Sequence, residues 1–280
     1  MNCLMFPGQP LAFAGKLPQD EDGAAIAGLV AQRAFLDLDT LAWLGEGSTE
    51  QVKLQLYGVA MSLYRLRKLR REAVAADFVA EHSMGIYPAL VACGVLPEGE
   101  ALELTFRTGV CLAQMGKRKE YALACVVGLT EGALAPLTAT LGVYMANYNT
   151  SRHFLLAGER SQIERSAAAA LAVGAFSASI YHSDAPLHTP LIAGIAGPLR
   201  QIAADYSYAA PRVPLINHID QRPLAAGDIA EFLLRELTLP VYWERTYRAL
   251  QEAGAGTFIE VGAGESLKKY NRWIDSEADR

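Results

Sequence analysis

Five consecutive residues, Glu81-His82-Ser83-Met84-Gly85, hold the group in this chain best suited to chemistry. A short and mostly apolar run, Asp77-Phe78-Val79-Ala80, leads into them, and a helix-like run from Ile86 to Leu96 follows. A serine at a sharp strand-to-helix turn is held out from the backbone with its hydroxyl exposed. The amide of the next residue then points into the same space, where it can stabilise an oxyanion. That layout suits covalent acyl transfer. Glu81 stands where the usual G-x-S-x-G pattern has its first glycine, and Ser-x-Gly before a helix is also an ordinary helix start.

A serine nucleophile requires a base. Five histidines are available: His82, His153, His182, His188 and His218. His82 adjoins the serine, but neighbours across an elbow usually point apart. His188 sits in a proline-bracketed loop, Asp184-Ala185-Pro186-Leu187-His188-Thr189-Pro190, of the kind that positions functional groups. Read from the residues alone, His188 is either that base or a turn histidine.

The elements that would carry these residues alternate between strand and helix. Cys3-Leu4-Met5-Phe6 reads as a short buried strand ended by Pro7-Gly8, and residues 22–36 and 49–72 have helical spacing of apolar residues. A strand at 77–80 precedes the elbow, and a further helix runs over 98–114. After the polar break Gly116-Lys117-Arg118-Lys119, the pattern becomes strand at 121–127, helix at 131–138, strands at 143–148 and 153–158, helix at 161–173, and strand at 177–181. That β-α-β-β-α-β order predicts a small ferredoxin-like α+β domain over 118–182. The remainder, 1–117 and 183–280, predicts a discontinuous large α/β domain with helices near 190–206, 228–237 and 243–253 and strands at 213–217 and 257–261.

Composition bounds the function classes. The chain has 280 residues, 51% hydrophobic and 20% charged, with a formal net charge of -5. It has material for a large core and lacks the basic excess of a nucleic-acid binder. Its four cysteines are far apart and form no C-x-x-C, as expected for buried thiols in a reducing compartment. The start has neither the basic residues nor the apolar core of a signal peptide, and no apolar run approaches the ~18 residues of a membrane span. A cytoplasmic protein without membrane or nucleic-acid partners is expected.

Seven motifs in order make the chain resemble the malonyl-CoA:acyl-carrier-protein transacylases and the related acyltransferase domains of polyketide and fatty-acid synthases. Met5-Phe6-Pro7-Gly8-Gln9 is similar to that family's F-P-G-Q opening. His82-Ser83-Met84-Gly85 with Tyr87, Ala89-Leu90-Val91-Ala92 and Gly94-Val95 is similar to its elbow. Asn147-Tyr148-Asn149 resembles the N-x-N of the small domain, Pro186-Leu187-His188 the P-S-H loop, and Val213-Pro214-Leu215-Ile216-Asn217 the V-P-V-V-N strand. Leu237, Pro240-Val241 and Trp243 follow Q-L-x-x-P-V-x-W, and Ile259-Glu260-Val261-Gly262-Ala263-Gly264 follows the closing E-V-G-P-G.

The resemblance implies an α/β-hydrolase-like large domain with a parallel sheet and nucleophile elbow. It implies Ser83 as nucleophile, His188 as base and then acid, and the amides of Gln9 and Met84 as oxyanion hole. The backbone carbonyl of Glu236, where the family usually has Gln, would orient the histidine. Arg107 would hold the free carboxylate of malonyl, and Asn149, Leu187 and His82 are candidates for the substrate pocket. No metal and no bound cofactor are implied, only malonyl-CoA or another CoA thioester as cosubstrate and an acyl-carrier protein as partner. The basic stretch Arg65-Leu66-Arg67-Lys68-Leu69-Arg70-Arg71 either steers that acidic partner or is a solvated helix face. Glu81, Pro88 and Pro10 depart from the family pattern at packed positions. They raise the alternative of a catalytically impaired partner subunit. A further alternative, in a different class, is an acyl-thioester hydrolase of the same fold, and Arg107 argues against it.

Overall fold

A computed structural model describes residues 1–278 of the chain. In chain order its elements are β1 (Asn2–Phe6), α1 (Glu21–Ala34), β2 (Leu36–Asp37), β3 (Ala42–Trp43), α2 (Glu50–Arg71), β4 (Phe78–Glu81), α3 (Ile86–Ala92) and α4 (Glu98–Gly116). There follow β5 (Tyr121–Val127), α5 (Glu131–Leu141), β6 (Tyr144–Thr150), β7 (His153–Glu159), α6 (Arg160–Ala172) and β8 (Ser177–Ser183). The last are α7 (Ala196–Ala204), β9 (Leu215–Ile216), α8 (Ile229–Thr238), β10 (Val241–Tyr242), α9 (Trp243–Glu252), β11 (Thr257–Glu260) and α10 (Ser266–Ala278).

The first sheet is mixed with helices and wholly parallel, in the order β11-β1-β4-β9. Its central strand shows why: Cys3, Leu4, Met5 and Phe6 are all buried, the continuous apolar run of a strand covered on both faces. Helices α1 to α4 pack over one core with β1 and β4, while Trp243, Tyr247 and Leu250 of α9 join Leu267 and Ile274 of α10 on the other side. Parallel strands present all their carboxyl ends at one edge. The loops there carry Pro7-Gly8-Gln9 after β1, the serine turn after β4, Asn217-His218 after β9 and Gly262-Ala263-Gly264 after β11.

The second sheet has the order β10-β6-β7-β5-β8, antiparallel except at β10, which runs parallel to β6. Helices α5 and α6 cover one face through Leu134, Ile163, Ala167 and Ala170. The two-residue strand β10, entered directly from α8, joins this sheet to the rest of the chain.

Several expectations are corrected. The strand expected over 213–217 pairs only at Leu215 and Ile216. Residues 190–195 form a 3-10 turn before α7, because Pro190 and Gly194 disfavour regular helix at its start. The hairpin of β2 and β3 and the terminal helix α10 were not read from the sequence. Helix α10 buries Leu267, Asn271 and Ile274 at helical spacing, and the Glu260 carboxylate accepts the amides of Leu267 (3.2 Å) and Lys268 (2.9 Å) at its start. The closing E-V-G-x-G motif therefore caps a helix as well as ending a strand. Pro88 lies in the first turn of α3, where its fixed φ is tolerated, so it interrupts no helix interior.

One backbone contact sets the elbow. A Cβ on Gly85 would stand 2.1 Å from the Phe6 carbonyl oxygen and 2.9 Å from that of Pro7. Gly85→Ala forces β1 and the serine turn apart and should destabilise the protein by about 3 kcal/mol, as overpacking of a rigid neighbour does. In thermal unfolding followed by circular dichroism this corresponds to a fall of roughly 6–10 °C.

Candidate active site

Ser83 sits at φ +56°, in the left-handed region that a non-glycine residue adopts only when its surroundings enforce it. The enforcement is local: the His82 amide donates to the Phe6 carbonyl (3.0 Å), and the Gly85 amide donates back to the His82 carbonyl (3.0 Å). The turn leaves the Ser83 hydroxyl facing a cavity of about 600 Å³ at the carboxyl edge of the parallel sheet.

His188 reaches the same point from a loop 105 residues away. Its Nε2 lies 2.7 Å from Ser83 Oγ and its Nδ1 lies 2.6 Å from the main-chain carbonyl of Glu236. The His188 amide donates to the Leu237 carbonyl (2.8 Å), so the last turn of α8 grips both the ring and the backbone of this residue. His188 also has a left-handed φ of +58° and is 3% exposed. A carbonyl can only accept, so Nδ1 carries the proton and Nε2 presents its lone pair to the serine hydroxyl. Burial first, and the neighbouring His218 second, hold the imidazole well below its ordinary value of 6.5, so it is neutral at physiological pH. A neutral, oriented base on a strained serine that opens to the cavity is equipped for attack on an acyl carbon.

The cavity wall beyond the serine is polar. His82 Nε2 donates to Asn149 Oδ1 (2.9 Å), and Asn149 Nδ2 in turn donates to His153 Nδ1 (3.0 Å), whose Nε2 lies 3.4 Å from Cys125 Sγ. Burial pushes His82 and His153 down to about 4, so both are neutral partners. Asn147, Leu187, His182 and Tyr270 complete this wall, and Lys269 stands on α10 at its mouth. Gln9 also lines the cavity, with its side-chain amide bonded to Gln51 Oε1 (2.5 Å) on α2. Pro10 and the Met84 side chain both press on Gly58 of α2, where a Cβ would meet them at 2.7 Å and 2.8 Å. Pro10 is therefore a fitted contact that braces the loop after β1.

Ser83, His188, Gln9, His82, Asn149 and Leu187 are thus brought together, with Met84 following the serine and Glu236 behind the histidine. Arg107 is not. Its guanidinium pairs with Asp205 (2.5 Å) and stacks over Tyr206, its side chain is a third exposed, and it does not line the cavity. The next residue of α4, Thr108, is the buried one and faces Tyr87. Each residue of a helix turns the side chain by about 100°, so a one-residue difference in register carries a side chain from the inner to the outer face. Arg107 is on the outer face of α4, away from the cavity.

The basic stretch of α2 is also mostly spoken for. Arg67 pairs with Glu98 and Asp22, Lys68 with Asp20 and Asp22, and Arg71 with Asp22, while Arg70 donates to the Val91 carbonyl. These charges staple α2 to the start of α1 and to α4. The sequence reading missed His218, Tyr270 and Lys269 as neighbours of the site. His218 was marked only by being one of five histidines, and the other two belong to the helix that was not foreseen. His188, His218 and Glu236 also form a group with metal-ligand atom types within 4.8 Å of one another. Both nitrogens of His188 are committed, one to Ser83 and one to a carbonyl, which leaves it no lone pair for an ion.

The chain has relatives among known proteins. The chain is 29% identical to the malonyl CoA-acyl carrier protein transacylase of Escherichia coli K12, over 97% of this chain and 92% of that protein. It is 28% identical to the Bacillus subtilis protein of the same description, over 99% and 92%. A solved malonyl-transacylase, in complex with a type II PKS acyl-carrier protein, superimposes with a TM-score of 0.88 at 25% identity, covering 98% of this chain and 93% of that one. The family described as acyl transferase domain matches residues 42–269, a span holding both Ser83 and His188, and the chain belongs to that family.

Proposed function

We propose that this protein moves a malonyl group, or a close relative of it, from a CoA thioester to the thiol of an acyl-carrier protein through an acyl-Ser83 ester. The observation that carries this reading is the continuous line from Ser83 Oγ through His188 to the Glu236 carbonyl, at 2.7 Å and 2.6 Å. His188 takes the serine proton as Oγ attacks the thioester carbonyl. It then returns that proton to the departing CoA thiolate, and the same steps run in reverse with the carrier thiol. The amides of Gln9 and Met84 are assigned to the oxyanion. CoA enters only as cosubstrate, with no bound cofactor. Malonyl transfer and the carrier partner are taken from the relatives, whose names state them.

The finer architecture belongs to the same reading: an α/β-hydrolase-like domain over 1–117 and 183–280 with a ferredoxin-like unit inserted over 118–182. No helix of the described residues is long and apolar enough to cross a membrane, and we place the protein in the cytoplasm.

With Arg107 outside the cavity, the free carboxylate of malonyl must be met by other groups. The wall offers the amides of Asn147 and Asn149 and, at the mouth, the Lys269 ammonium. The position of Arg107 also bears on a second reading, an acyl-thioester hydrolase of the same fold, because that arginine was the ground for disfavouring it. The two differ in which nucleophile, a carrier thiol or water, releases the acyl group from Ser83. An impaired partner subunit would have no use for a neutral base aligned on a strained serine.

Intact-protein mass spectrometry after brief mixing with malonyl-CoA should show a malonyl adduct that is absent in Ser83→Ala. Arg107→Ala should load within about twofold of the parent, as expected for loss of an ion pair whose two side chains are about a third exposed. Absence of any adduct and of CoA release would sink the acyltransferase reading, and steady CoA release without carrier protein would select the hydrolase. His188→Ala should slow acylation by at least ~100-fold. Because the His188 imidazole is held neutral, the rate at pH 6 should stay close to that at pH 8. A histidine with its ordinary value would leave about a quarter of the enzyme active there.

A further inference from the structure

Glu81, His218 and Glu236 come from three distant segments and meet behind the catalytic histidine. Glu81 ends β4 fully buried; its Oε1 accepts the His218 amide (3.1 Å) and its Oε2 lies 2.7 Å from His218 Nδ1. His218 is 0% exposed and Glu236 1%. Among the described residues, His218 Nε2 and both carboxyl oxygens of Glu236 have no hydrogen-bond partner. Glu236 Oε2 lies 3.9 Å from His188 Nδ1. Groups of this kind are costly to bury unless they are hydrogen-bonded, paired or held neutral.

Burial pushes the Glu81 carboxyl up, and the His218 amide it accepts opposes that push, so its charge depends on what His218 offers it. With Glu81 ionised, the three residues carry one negative charge whether the remaining proton sits on Glu236 or on His218. Only the second arrangement puts a carboxylate beside His188. The titratable groups facing His188 are Ser83, His82, His218 and Glu236; those facing Glu236 are Tyr87, Glu81, His188 and His218. No lysine or arginine is among them.

We propose that the Glu236 side chain is a positioning residue for His188, a buried acid that ionises as the histidine becomes charged, with the Glu81–His218 pair taking up its proton. As Ser83 Oγ bonds to the acyl carbon, its proton passes to His188 Nε2. Glu236 and His218, which offer atoms within 4.8 Å of each other, close to hydrogen-bond distance; the Glu236 proton then passes to His218 Nε2, and the carboxylate left behind faces the new imidazolium. When the thioester C–S bond breaks, His188 gives its proton to the thiolate and the His218 proton returns to Glu236. Residue 236 thus serves the histidine twice, through its carbonyl on Nδ1–H and through its carboxyl. A glutamine there supplies only the first.

This inference rests on the acyl-transfer reading for its chemistry, and its test separates the two. Glu236→Gln keeps the shape and the carbonyl but cannot ionise, and Glu81→Gln removes the charge from the far end of the cluster. Two quantities are read in each variant: the rate of Ser83 acylation by malonyl-CoA, and the titration midpoint of the His188 imidazole by 15N NMR. Losing the nearby anion disfavours the imidazolium, so the midpoint should move to lower pH by about one unit and acylation should slow about tenfold in both variants. Wild-type rate and midpoint in Glu236→Gln would overturn the proposal. So would a slower rate with an unmoved midpoint in both variants, which is the signature of a packing role. Failure of the parent protein to acylate would instead overturn the functional reading, while the NMR shift would still decide the role of Glu236.

Discussion

The approach of the Gly85 backbone to the end of β1 is the constraint on which the site depends. With no Cβ at residue 85, the serine turn closes against the Phe6 carbonyl, and the His82 amide donates to that same oxygen. The turn is thereby tied to the central strand of a parallel sheet, an element that cannot shift without disturbing the main core. Ser83 can then be held at a positive φ, and the strain is carried by the sheet rather than by the turn itself. The loop after β1, with Gln9 and Pro10, starts from the same contact, so Ser83 and Gln9 share one rigid support.

The histidine is held by a different device. The end of α8 leaves unpaired carbonyls, as every helix does in its last turn. Here two of them, from Glu236 and Leu237, are used to orient His188 Nδ1 and to hold its amide. A helix terminus is therefore doing what an aspartate does in other serine–histidine sites: fixing the tautomer and aiming Nε2. Because α8 runs directly into β10, and β10 pairs with β6, the helix that aims the base is also the link to the antiparallel sheet that supplies Asn147 and Asn149. His188 and this wall of the cavity are mechanically connected through Leu239, Pro240, Val241 and Tyr242.

Residues that break the family pattern turn out to be mutually compensated. Glu81 would be an unpaired buried acid in isolation, yet His218 faces it with both an amide and a ring nitrogen. Pro88 falls in the first turn of its helix, and Pro10 packs on Gly58. None of the three blocks the serine or the histidine. The acids at 81 and 236 alter the electrostatics behind the base without touching the cavity.

The sequence by itself determined the alternation of strand and helix, the serine turn, the histidine loop and the order of the motifs. These are set by local rules: apolar periodicity, glycine and proline punctuation, and residue types at fixed short spacing. The terminal helix escaped because its capping acid, Glu260, is read first as the end of a strand. Two features were decided only by the tertiary structure. Whether Arg107 or Thr108 faces inward depends on the rotation of α4 against its neighbours, and a helix turns by about 100° per residue, so motif spacing that is right to within one position still leaves the facing side open. The meeting of Glu81, His218 and Glu236 depends on strand order and on where α8 packs. Those are long-range arrangements, and nothing in the local spacing of three residues so far apart encodes their contact.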